Sequence, residues 1–276
     1  MSVAGAAPVT VVAGVRTDVG LKRSVNEDSV IAEFPVFAVA DGMGGHEAGD
    51  RASRAVIEEL RGLVGRDELT PDDVADVLHA AHENVRGIAE GTSRGAGSTV
   101  TGAVVLEHSE RPHWLVFNIG DSRVYRLRER EFAQLTVDHS IAQELIESGR
   151  LAREEVGSYS GRNVITRAVG SEDSTADFWL YPIVEGERLL ICSDGLTGEV
   201  DESDVAAVLA SVPDVADAAE GLVARALENG GKDNVTVVVV EVAGGGISAA
   251  LDEETGIVPA DGDDVDENTV ELPKRV

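Results

Sequence analysis

The sequence predicts an α+β fold of stacked antiparallel sheets with helices on the outside, and three observations predict it. Several short runs rich in Val, Ile and Leu are bounded by Gly, Asp or Pro. Some of the gaps between them are of hairpin length. Stretches with helical spacing come in pairs and do not alternate one for one with strands, as a doubly wound parallel sheet would require.

Strands are expected over residues 9–15, 36–40, 99–106, 114–119, 123–127, 188–192 and 235–242. The connections from 99–106 to 114–119, and from 114–119 to 123–127, suit antiparallel hairpins. Helices are expected at 48–63 and at 72–88, where Val74, Val77, Leu78, Ala81, Val85 and Ile88 recur three or four apart. Thr70-Pro71 supplies that second helix with a cap and a first-turn proline. Further helices are expected at 141–148, 204–209 and 215–227. Residues 149–174, rich in Ser, Gly and Arg and poor in periodicity, read as a surface excursion or flap. The elements together make one domain over residues 9–242. Residues 243–276 read as an acidic, disordered tail: nine Asp or Glu face Lys274 and Arg275 there, with little apolar surface to offset the entropy of ordering.

Composition narrows the function classes. The 276-residue chain has 51 acidic and 23 basic residues, a formal charge of -28, and about 21 of those negative charges remain without the tail. Such a surface repels nucleic acid and anionic membranes. Carboxylates do suit divalent cations, which as hard ions prefer oxygen. Cys192 is the single cysteine, which excludes an intramolecular disulfide and any multi-cysteine zinc site and fits a reducing compartment. No apolar run is long enough to cross a bilayer, so the expected location is cytoplasmic.

The chemistry points to aspartates at strand ends. Asp41 follows the run Val36-Phe37-Ala38-Val39-Ala40 and precedes Gly42-Met43-Gly44-Gly45. Asp194 repeats the arrangement after Leu189-Leu190-Ile191-Cys192-Ser193 and before Gly195. Asp233 opens the strand beginning Asn234-Val235, and Asp121 lies in the turn Gly120-Asp121-Ser122. Asp beside Gly is ordinary turn chemistry when taken singly. As a set, these four offer oxygen ligands that a rigid sheet aims at one rim, without histidine or cysteine. Arg23 stands five residues before Asp28 in Arg23-Ser24-Val25-Asn26-Glu27-Asp28, a surface pair unless the substrate is phosphoryl, for which a guanidinium fork is suited.

With these residues in place, the chain resembles the metal-dependent serine/threonine protein phosphatases of type 2C (PPM family), of bacterial type. The resemblance spans about residues 9–242 through Arg23 to Asp28, VADGMGGHEAGD at 39–50, GSTVTGAVV at 97–105, NIGDSRVYRL at 118–127, LTVDHS at 135–140, RAVG at 167–170, ICSDGLT at 191–197 and DNVTVVVV at 233–240. It implies a four-layer αββα sandwich, two packed antiparallel sheets flanked by helices, with two Mg²⁺ or Mn²⁺ ions at one end. It also implies Asp41 as the ligand bridging both ions, Gly42 as a backbone-carbonyl ligand, and Asp194 and Asp233 as ligands of one ion. Glu27 and Asp28 would lie on the other side, Arg23 would clamp phosphate, and Asp121 would help Asp194 hold a third, weaker ion. The implied reaction is hydrolysis of phosphoserine and phosphothreonine by activated water. The implied partners are phosphorylated proteins, a Ser/Thr kinase and its substrates.

One position departs from the animal members, which carry a histidine directly after the Asp-Gly, proposed as the acid for the leaving alkoxide; here that residue is Met43. His46 is a candidate for this acid or simply part of the helix's first turn, and a metal-bound water is the other candidate. Cys192 lies within a strand with Gly198 six residues on, so a cysteine phosphatase loop closed by arginine is excluded. His79 and His82 share a helix face without a third ligand and read as surface or packing residues. Two other functions compete: a phosphoprotein-binding or sensor module without turnover, and a hydrolase of small phosphorylated molecules.

Overall fold

The computed structural model describes residues 8–44, 47–66, 68–93 and 95–247. Its strands are β1 (Thr10–Asp18), β2 (Asp28–Glu33), β3 (Val36–Met43), β4 (Gly97–Ser98), β5 (Val100–His108), β6 (Arg111–Ile119), β7 (Arg123–Arg128), β8 (Glu131–Gln134), β9 (Asp177–Pro182), β10 (Arg188–Cys192) and β11 (Val235–Gly244). The helices are α1 (Glu47–Arg61), α2 (Pro71–Glu90), α3 (Ile141–Glu147), α4 (Asp194–Thr197), α5 (Glu202–Ser211) and α6 (Val215–Glu228). The strands form two antiparallel sheets, ordered β1-β11-β10-β7-β8 and β2-β3-β5-β6-β9, with β4 paired to β3.

Side-chain alternation builds the layers. On β3, Val36, Ala38 and Ala40 pack under α1 and α2, whereas Phe37 and Val39 point between the sheets. On β11, Val235, Val237 and Val239 meet α5 and α6, and Val238, Val240 and Val242 face the inter-sheet core. A strand buried on both faces reads as a continuous apolar run, which is why Val235 to Val240 carries so little alternation. The inter-sheet layer is completed by Trp114, Trp179, Tyr181, Leu189 and Ile191. The result is the αββα sandwich expected from the sequence. At α2, Thr70 caps with its hydroxyl on the Asp73 amide while the Asp73 carboxylate accepts from the Thr70 amide, and Pro71 occupies the first turn.

Strands β2, β8 and β9 and the one-turn helix α4 stand where no element was expected. The first two present few apolar residues, and β2 is held by pairing to β3 along its whole length. One expected pairing is overturned. Residues 114–119 and 123–127 do not form a hairpin: β6 pairs with β5 and β9, and β7 pairs with β8 and β10 in the other sheet. Gly120, at φ 113°, steps the chain across the sandwich instead. That crossing places Asp121 at the mouth between the sheets.

Residues 149–174 contain a short 3₁₀ turn at Arg153–Ser158 and return along the sheet end through bridges between Ser140 and Ile165 and between Ser98 and Val169. Beyond Val242, β11 continues to Gly244, and Ile247 bridges Val184. The rest of the acidic segment lies outside the described residues. Among the described residues no helix is long and apolar enough to cross a membrane.

Candidate active site

Asp41 sits near the end of β3 directly opposite Asp28 on β2. Its backbone is fixed on three sides: the Asp41 amide donates to Thr99 Oγ1 at 3.1 Å, and its carbonyl accepts from the Thr99 amide at 2.8 Å and Ser98 Oγ at 3.1 Å. The Gly42 amide donates to the Glu27 carbonyl at 3.2 Å, binding the Glu27–Asp28 segment to the same strand end.

Asp194 arrives from the other sheet, as the first residue of α4 immediately after β10. Gly195 follows because the backbones touch there: a Cβ at that position would lie 1.9 Å from the Asn234 carbonyl oxygen. Asp41 and Asp194 are close enough to affect each other's protonation: burial and the charge of Asp233 raise the Asp194 carboxyl, and the neighbouring Asp41 side chain lowers it. Ser193 Oγ donates to Asp28 Oδ2 at 2.9 Å and accepts from the Thr236 amide at 3.0 Å, so one hydroxyl joins the two sheets under the carboxylates.

These groups crowd one another. Burial, then the charges of Asp194 and Asp233, raises Asp28 to about 7, against hydrogen bonds from Thr236 and Ser193 that lower it. Burial and the charges of Asp194 and Asp138 raise Asp121 to about 8. Burial and neighbouring carboxylates hold Asp41 well above the ordinary carboxylate range, and Asp194 is raised too. Asp28 Oδ1 and Asp194 Oδ1 are buried without a hydrogen-bond partner. Among the described residues no three His, Cys, Asp or Glu side chains are set to hold an ion by themselves. A cation here would therefore draw on carboxylate pairs together with backbone oxygen and water. The donor set fits hard divalent ions: it is all oxygen, negatively charged and short of positive partners.

Arg23 and Asp233 form the remaining edge, with Arg23 Nη2 at 2.5 Å from Asp233 Oδ2. The hydrogen bond to Asp233 is the main cause raising the guanidinium's affinity for its proton, and half of the side chain remains exposed. His46 lies outside the described residues. Cys192 is fully buried and burial pushes its thiol up to about 12, while His82 accepts from the Gly170 amide at 3.1 Å, a packing role.

Two residues that hold the site carry no role in the sequence reading. Asn234 accepts from the Glu27 amide at 2.9 Å and donates to the Val19 and Val25 carbonyls at 2.9 and 3.0 Å, tying the Arg23 loop to the start of β11. Its only sequence signal is a polar residue, 4% exposed here, heading a valine run. Asn234→Ala should lower stability by about 1–3 kcal/mol, the cost of orphaning several part-buried backbone groups, and raise KM for an Arg23-dependent substrate; urea denaturation with steady-state kinetics checks both. His139 accepts at Nδ1 from the Gly120 amide at 3.1 Å, which leaves the proton on Nε2 facing Asp177 Oδ2 at 3.0 Å. Its carbonyl accepts from the Thr166 amide at 2.8 Å, so the Asp121 turn and the return of residues 149–174 meet on one imidazole residue.

A family model described as Protein phosphatase 2C matches residues 22–229. The chain belongs to the protein phosphatase 2C family. Among curated relatives, the serine/threonine protein phosphatase PstP of Mycobacterium tuberculosis is 39% identical over 232 residues, covering 82% of this chain and 44% of PstP. The chain thus spans under half the length of that relative. The serine/threonine phosphatase stp of Listeria monocytogenes is 32% identical over 240 residues, 82% of this chain and 94% of stp. A crystal structure of PstP/Ppp superposes with a TM-score of 0.80 at 34% identity, covering 86% of this chain and all of that one. The PstP catalytic domain in complex with two manganese ions gives 0.78 at 34% identity and the same coverage. MsPP from Mycobacterium smegmatis, in complex with cacodylate, gives 0.76 at 35% identity over 84% of this chain and 98% of that one.

Proposed function

We propose that this member of the protein phosphatase 2C family hydrolyses phosphoserine and phosphothreonine in proteins with the help of two divalent cations, Mg²⁺ or Mn²⁺. The observation that carries the reading is the convergence of Asp28, Asp41, Asp121, Asp194 and Asp233 from both sheets on one end of the sandwich, beside a half-exposed arginine. Bound cations at such a site supply an acidified water and neutralise charge on the displaced oxygen.

The chain's own groups have distinct tasks. Asp41 and the Gly42 carbonyl at the end of β3, with Asp194 and Asp233 from the other sheet, hold the ions. Glu27 and Asp28 act from the β2 side, and Asp121 joins Asp194 at a third position. Arg23 orients the phosphate, and its pairing with Asp233 restricts the guanidinium before substrate arrives. No thiol takes part, since Cys192 is buried and protonated. His46 is the candidate acid for the leaving alkoxide. The substrates are proteins phosphorylated by a Ser/Thr kinase, and the setting is the cytoplasm, where a lone thiol stays reduced.

Arg23→Ala should reduce kcat/KM on a phosphothreonine peptide about 10- to 100-fold, the worth of a charge-assisted phosphate contact, mostly through KM. Steady-state kinetics with saturating Mn²⁺ reads the effect. An unchanged KM would remove Arg23 from the phosphate site. The reading as a whole is tested by phosphate release from that peptide with Mn²⁺, with Mg²⁺ and with chelator.

A further inference from the structure

We propose that Lys22 and Lys232 form a second anion subsite beside Arg23. It takes a carboxylate or a second phosphate carried by the substrate peptide next to the phosphoresidue being hydrolysed, and so it rests on the phosphatase reading.

The chain has only three lysines, Lys22, Lys232 and Lys274. The first two come together at the edge of the site although 210 positions separate them. The Leu21 amide donates to the Gly231 carbonyl at 2.7 Å, so Lys22 and Lys232 each stand one residue beyond the same backbone contact. Each also adjoins a residue of the site, Arg23 in one case and Asp233 in the other, and those two are bonded at 2.5 Å.

The charges at this corner are unequally committed. Asp233 is paired with Arg23, and the Asp18 carboxylate accepts from the Gly20 amide at 2.9 Å. Lys232 Nζ lies 3.0 Å from Glu199 Oε1 and 3.3 Å from Oε2; the Glu199 side chain is 6% exposed, whereas that of Lys232 is 70% exposed. A buried carboxylate thus holds the ammonium in place while leaving it open to solvent. Lys22 is exposed, and its side chain has no hydrogen bond or ion pair among the described residues. On a chain carrying -28 charges, an acidic peptide is repelled almost everywhere, so a corner presenting Lys22, Arg23 and Lys232 together determines where and in which direction it approaches.

Three peptides separate the possibilities: one phosphothreonine flanked by alanines, the same flanked by aspartates, and the same with a second phosphothreonine nearby. Affinity is measured by calorimetry and kcat/KM by phosphate release, both with Mn²⁺, for the wild type, Lys22→Ala and Lys22→Glu. Lys22 is the informative position, because Lys232→Ala would also strip Glu199 of its partner.

The wild type should favour one or both anionic peptides over the alanine peptide about two- to fivefold, the scale of an exposed charge pair, with the preference falling as salt is added. Lys22→Ala should remove most of that preference and Lys22→Glu should reverse it, with the alanine peptide little affected. A preference for the doubly phosphorylated peptide alone would assign the subsite to phosphate, and for both anionic peptides to acidic groups in general. Equal affinity for all three peptides, or a preference untouched in Lys22→Glu, would overturn the proposal. Lys22-dependent binding without phosphate release would uphold the subsite and overturn the phosphatase reading.

Discussion

Asp41→Asn and Asp194→Asn should each abolish phosphothreonine hydrolysis, by about a thousandfold or more, and each should make the chelator-treated protein more stable. The first effect follows from the proposed roles. Each side chain comes from a different sheet, and in the proposed roles both would hold the cations; losing about 4 kcal/mol of transition-state stabilisation is a factor of a thousand. The second effect follows from what the fold tolerates. The Asp41 and Asp194 carboxyls are both raised by burial and by surrounding carboxylates, and Asp194 Oδ1 is buried without a partner. An amide keeps the shape and removes the charge, so relief of about 1 kcal/mol would raise Tm by roughly 2–4 °C for a domain of this size. Kinetics and thermal melts in chelator test the two halves together. A variant that lost activity and also melted lower in chelator would indicate a structural role for the aspartate.

Protein freed of cations should lose stability as pH rises from 5 to 8, the reverse of the usual acid denaturation. Asp28 and Asp121 are raised to about 7 and about 8, and Asp41 and Asp194 are raised as well. A carboxyl with a raised folded-state pKa binds its proton more tightly in the native state. Stability is therefore highest below the unfolded value near 4, declines as pH climbs, and stops declining once pH passes the folded values. The carboxylates held low, Asp73, Asp173 and Asp177, change stability in the opposite sense and only under acid conditions, below this window. With several groups sharing the cleft, the decline should be on the order of 5 kcal/mol or more. Mn²⁺ binds the ionised carboxylates, so its stabilising effect should grow with pH and flatten or invert the slope. Urea denaturation at several pH values, with chelator and with Mn²⁺, reads both trends. Stability that rose with pH in chelator would contradict the crowded-carboxylate account.

Most of this architecture was legible in the sequence because its central strands are buried. Residues 36–40, 188–192 and 235–242 show as apolar runs, and each ends or begins at an aspartate that the fold brings to the common rim. What stayed hidden depends on partners distant in sequence. Strand β2 has only Val30, Ile31 and Ala32 as apolar residues and is defined by its register on β3, which sets Asp28 opposite Asp41. The turn at Gly120–Ser122 looks like a hairpin because its length is local, whereas the choice of sheet on either side is not. Asn234 and His139 were unreadable for the same reason: their hydrogen bonds run to backbone groups of remote loops.

The most direct test of the central claim is phosphate release from a phosphothreonine peptide by the wild-type chain, first in chelator and then as Mn²⁺ is titrated in. No release is expected in chelator, and a saturable rise is expected with Mn²⁺. Undiminished release in chelator, or no release from a folded protein that binds Mn²⁺, would contradict that claim.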